Sequence, residues 1–188
     1  YQAANLPEKA IEVARQAVDG NSESVAGWGA LSKALASSGD FEAALQALRE
    51  LSSRDPTSTA AWLELAEVAL ARGNPAIGRR AVAEAAWRGR RRPEVLARLA
   101  SVLGNHGSRP TALRLLRTGL RIRPHDVRLR RQLAELKEAA GDQEGALQAW
   151  LSSAEVEPHE PGPLVRGAAI AGRMGELERG VELLEQAV

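Results

Sequence analysis

A chain of 188 residues that is 44% apolar but only 3% aromatic, with no cysteine, excludes disulfide scaffolds and thiolate metal sites. Its core must come from alanine and leucine at close helix–helix contacts, and no apolar run reaches the roughly 18–20 residues of a membrane span. The net charge of +1 hides a steep imbalance: residues 1–78 carry −4, residues 79–131 set 15 arginines against Glu84, Glu94 and Asp126 for +12, and residues 132–188 carry −7.

In chain order, the first 24 residues read as the second helix of a preceding unit, and a complete helix-pair unit runs from 25 to 58. Trp28, Leu31, Ser32 and Leu35 share one helical face by their i, i+3, i+4, i+7 spacing. Gly39–Asp40 ends that helix, because glycine takes positive φ at low cost and the aspartate caps the next helix. Phe41, Ala44, Leu45, Leu48 and Leu51 mark a second face, closed at Asp55–Pro56, since the residue before proline avoids the α region. The same unit repeats over 59–92, 93–126 and 127–160, with a partial one over 161–188. Pro7, Pro75 and Pro110 fall at first turns of second helices, and Pro93 and Pro161 at those of first helices.

The repeat is strict. Gly39, Gly73, Gly107, Gly141 and Gly175 recur every 34 residues, with Asn5 one period earlier. Ala10, Ala44, Gly78, Ala112, Ala146 and Gly180 come five residues later; Pro56, Pro124 and Pro158 keep step, as do Trp28 and Trp62. A fixed period of this length means stacked supersecondary units, read as one all-α array spanning 1–188. Starting at Tyr1, inside a repeat, the chain reads as a piece of a longer protein.

Three expectations concern departures from the repeat. Arg130 stands at the Trp28 position and Lys137 at the Leu35 position, so their stems are expected to snorkel. Trp150, at the Leu48 position, is expected to fill the space they leave. Arg90 replaces the closing proline near Trp87, making that junction the place for altered stacking.

Catalytic chemistry is absent from the pattern. His106, His125 and His159 sit in turns without carboxylate support, so no metal site is expected. Nucleophile elbow, P-loop and zinc-protease motifs are missing, and Gly104-Asn105-His106-Gly107 is an inter-helix turn. Neither enzyme activity nor a cofactor is expected.

The spacing of Trp28, Leu31, Gly39, Ala44, Leu48 and Pro56, and again of Trp62, Leu65, Ala66, Gly73 and Ala85, resembles the tetratricopeptide repeat family. The resemblance implies a right-handed superhelix whose first helices line a concave groove that takes a peptide or helix of a partner protein. With Trp28-type positions buried, the groove-facing residues are Leu63, Glu64, Glu67, Leu70, Arg98, Arg128, Arg131, Glu135 and Arg166, beside Lys33, Glu94, Ser101, Gln132, Val165 and Arg173. Leu63 and Leu70 are expected to be exposed apolar anchors. A chaperone-tail clamp is not expected, because Gly29, Lys33, Glu64, Glu94 and Arg98 occupy its places and Glu64 repels a carboxylate.

The Arg-rich middle gives a second expectation. Arg88, Arg90, Arg91 and Arg92 crowd one junction, and Arg114, Arg117 and Arg121 come next at helical spacing, a basic ridge for an acidic protein or a polyanion. Nucleic acid is not expected, for want of interleaved aromatics. Self-association through the −7 end and the +12 middle is open, and the excess of 22 arginines over 3 lysines also fits a GC-rich genome. The leading reading is a non-catalytic scaffold within a larger bacterial protein. The alternatives are a resemblance to the repeat stretches of exopolysaccharide export proteins and a docking arm of an enzyme. Of compartments, the bacterial periplasm is favoured over the cytoplasm.

Overall fold

The computed structural model describes residues 6–188, so Tyr1 and Asn5 lie outside the described residues. Those described form eleven helices: α1 (Leu6–Gly20), α2 (Val25–Ser38), α3 (Phe41–Arg54), α4 (Ala60–Ala71), α5 (Pro75–Arg88), α6 (Pro93–Asn105), α7 (Arg109–Ile122), α8 (Val127–Ala139), α9 (Gln143–Ala154), α10 (Gly162–Met174) and α11 (Leu177–Gln186). They belong to two compact units, Tyr1–Arg90 and Arg91–Val188.

Local chemistry fixes the turns. The five periodic glycines all have positive φ, between 72° and 95°, and no other described residue does. Only a residue without Cβ adopts that conformation freely, so each helix pair turns at its glycine. After three of the five, the next residue's side chain caps the second helix. Asp40 Oδ1 accepts from Ala43 N at 3.1 Å, Asn74 Oδ1 from Ile77 N at 3.2 Å and Asp142 Oδ1 from Gly145 N at 2.9 Å.

In the first unit α2 packs on α1, α3 and α4, and α4 on α5; in the second α6 pairs with α7 and α8, α8 with α9, α9 with α10, and α10 with α11. The buried core is leucine and alanine: Leu31, Leu35, Ala44, Leu45, Leu48 and Leu51 in the first, Leu96, Leu99, Leu103, Ala112, Leu116 and Leu147 in the second. Gly78 takes the alanine position because Leu70 lies on it; a Cβ there would come within 2.5 Å of the leucine side chain.

Three expectations need correction. Leu63 is 2% exposed, a core residue and no groove anchor. Leu70 is half-buried against Gly78, so the apolar pair does not exist. The α4 sequence AAWLELAEVALA is apolar on nearly every side, and helical spacing alone does not choose its buried face. Finally, Arg88 is not a free member of a ridge, since its side chain is 13% exposed and its guanidinium lies 5.1 Å from the centre of the Trp62 ring.

Candidate functional site: the first-helix face

Aromatic clips set how each first helix is held in the first unit. Trp28 on α2 carries the guanidinium of Arg54 at 5.3 Å, and Arg54 pairs with Glu50 at 2.8 Å. One period on, Trp62 carries Arg88, which pairs with Glu84. The desolvated cation over an indole face adds attraction to the packing.

In the second unit Arg130 takes the Trp28 position and reproduces its contact. Trp28 Nε1 donates to Ser22 O at 2.8 Å, and Arg130 Nε donates to Pro124 O at 2.9 Å, both six residues back. Arg130 Nη1 also donates to Ser152 O at 3.0 Å and Ser152 Oγ at 2.6 Å. Its charge is therefore hydrogen-bonded in place and does not merely snorkel. Lys137 Nζ reaches Gly145 O at 3.2 Å and Asp142 Oδ2 at 3.7 Å. Trp150 is 4% exposed, as a filler would be, and its cluster takes in Ala134 of α8 as well as Ala168, Ile170, Ala171 and Leu183 of the last helix pair. Its Nε1 faces Glu138 Oε2 at 3.4 Å.

Two pockets open between successive first helices, one in each unit. The first, about 210 Å³, lies between α2 and α4 and is lined by Ser32, Lys33, Ala36, Ser37, Ala61, Glu64, Leu65, Glu67 and Val68. The second, about 500 Å³, lies between α6 and α8 and is lined by Ala100, Ser101, Gly104, Asn105, Gln132, Glu135, Leu136 and Ala139, with Arg109 and Leu116 from α7. Seven lining positions of the first recur 68 residues later in the second, so this is one pocket built twice. Its rung changes chemistry. Lys33 Nζ pairs with Glu64 Oε1 at 3.3 Å across the first, whereas Gln132 Nε2 donates to Ser101 Oγ at 3.0 Å across the second. Gly104 replaces Ala36, and the second pocket reaches down to Leu116.

The remaining expected groove residues are spread over several settings. Glu64, Glu67 and Glu135 line the pockets. Arg98 and Arg128 are exposed on α6 and α8. Arg131 is held by Glu157 at 2.7 Å, and Arg166 lies 5.6 Å from the centre of the Trp150 ring. Of the ridge, Arg90, Arg91, Arg92, Arg114, Arg117 and Arg121 are exposed. Spacing overlooked the arginine–tryptophan clips, although the signal was there: Arg54 and Arg88 each come 26 residues after their tryptophan. It also overlooked Ser101 and Gln132 as a hydrogen-bonded rung. No group of histidines and carboxylates among the described residues is arranged to hold a metal, and no described helix is long and apolar enough to cross a membrane.

Residues 25–68 and 97–163 each match a tetratricopeptide repeat family. No curated protein matches the chain. Among solved structures it is similar to MamA, at 15% identity and TM-score 0.63, covering 88% of this chain and 91% of that one. It is also similar to YrrB, described as a TPR protein with an unusual peptide-binding site, at 18% identity and TM-score 0.61 over 95% and 92% of the two chains. PilF of Pseudomonas aeruginosa aligns at 19% identity and TM-score 0.56 over 90% and 78%. With positive-φ glycines every 34 residues and helix pairs repeating in step, the chain belongs to the tetratricopeptide repeat family.

Proposed function

We propose that this chain is a non-catalytic scaffold that binds a peptide or helix of a partner protein in the pockets between successive first helices of each unit. The observation that carries the reading is the pocket built twice at the same register with different chemistry in each copy. The glycine turns keep step from repeat to repeat, while the rung between first helices changes from an ion pair to a neutral hydrogen bond. A cleft of fixed register whose polar lining changes is suited to recognising different groups. The α6–α8 pocket is the main anchor. It is the larger of the two, it reaches down to Leu116, and Gln132 Oε1 is buried without a hydrogen-bond partner, an acceptor for an incoming N–H. The peptide-binding site named for YrrB adds support by analogy.

Selection of a random displayed peptide library on the chain tests this. Ser101→Arg, at an exposed position on the pocket wall, should weaken the selected peptides at least tenfold, while Arg114→Glu on α7 leaves them unchanged. Selected peptides indifferent to Ser101→Arg would sink the reading. The exposed Arg91, Arg92, Arg114, Arg117 and Arg121 of the second unit support a second surface for an acidic protein or a polyanion.

A further inference from the structure

Trp87 is 62% exposed, whereas Trp62 and Trp150 are 3% and 4% exposed and Trp28 is half-buried. It ends the outer face of α5, where Ala76, Arg80, Ala83 and Trp87 succeed one another at helical spacing, flanked by Pro75 and Arg79. Arg90 continues the stripe past the helix end. Its guanidinium lies 4.9 Å from the centre of the Trp87 ring, and its Nη1 donates to Trp87 O at 2.8 Å. Among the described residues none of Arg79, Arg80 and Arg90 is paired with a carboxylate, and Glu84, the only acid on α5, is taken by Arg88.

The equivalent face of α3, one period earlier, shows what an ordinary solvated second helix looks like. It exposes Glu42, Gln46, Arg49 and Ser53, a mixture of both charges and neutral polar groups. On α5 those places are held by Ala76, Arg80, Ala83 and Trp87. The α5 face thus offers only apolar carbon, an indole and cations, with no neutral hydrogen-bonding group besides the indole N–H. That composition suits the boundary of an anionic bilayer, where indole rests at headgroup depth and guanidinium pairs with phosphate. A base-stacking platform fits less well, because the guanidinia of Arg88 and Arg90 already lie within 5.8 Å of the ring centre. We infer that the outer face of α5, through Arg79, Arg80, Trp87 and Arg90, is a peripheral docking surface for an anionic lipid bilayer. It is independent of the first-helix pockets, so the failure of either reading leaves the other standing.

Sedimentation with large vesicles tests it directly. The chain should bind equimolar phosphatidylglycerol–phosphatidylcholine vesicles at low salt and fail to bind pure phosphatidylcholine. Binding should carry a blue shift of tryptophan emission that is lost in Trp87→Ala. Arg80→Gln with Arg90→Gln should weaken partition by about twenty-five-fold, roughly fivefold per arginine. Arg49→Gln on α3 is the control and should change nothing beyond its own charge. The helical circular-dichroism signal confirms folding, since every substituted side chain is exposed. Absence of binding to anionic vesicles, or binding indifferent to Trp87→Ala and the double variant, overturns the proposal. So does a single-stranded oligonucleotide or polyglutamate that displaces the vesicles and produces the same Trp87 shift.

Discussion

The two units fill the same first-helix position with different side chains. In the first, an indole lies under a guanidinium, Trp28 under Arg54 and Trp62 under Arg88. In the second, Arg130 sits where the indole would be and donates to the carbonyl six residues back, as Trp28 does. At these two repeats the position is filled by a flat group with an N–H aimed at the preceding turn, whereas Leu96, 1% exposed, fills the same place in the α6–α7 repeat by burial alone.

The largest test of this contrast is Trp62→Ala, which removes a 3% exposed indole and leaves Arg88 without its platform. It should cost about 3–5 kcal/mol in urea denaturation. Arg130→Ala should cost less, about 2 kcal/mol, because it loses charged hydrogen bonds and no large apolar volume. Arg130→Trp should come within about 1 kcal/mol of the parent; a loss as large as that of Trp62→Ala would show that the two solutions are not interchangeable. The turns predict sameness instead. Gly73→Ala and Gly107→Ala each force a side chain into positive φ and should lower stability alike, by about 1–2 kcal/mol. Smallest of all is the rung. Lys33→Ser with Glu64→Gln copies the neutral rung of the second unit and should shift stability by no more than about 0.5 kcal/mol, while removing part of its salt dependence.

Glycine turns, caps and helix limits were legible in the sequence because each comes from one residue's own backbone or side-chain chemistry. The five glycines and the carboxylate or amide after three of them needed no knowledge of the rest of the fold. The sides of α4 were not legible, since a helix with almost no polar face gives no direction to its moment, and Leu63 was placed on the wrong side. Arg88 misled for a different reason. Its charge is local information, but its partner Trp62 lies on the neighbouring antiparallel helix. Pairings across a helix pair show in a sequence only when they repeat, as 28 with 54 and 62 with 88 do.

The exchange of indole for guanidinium has a genetic consequence. A tryptophan codon becomes an arginine codon by a single base change, so the step from one way of holding the helix to the other needs no intermediate residue. Where both side chains meet the same carbonyl, that step opens no hole in the helix pair. It adds a positive charge where there was none, and in a gene already rich in arginine codons such steps let the charge of a repeat drift while its backbone stays fixed.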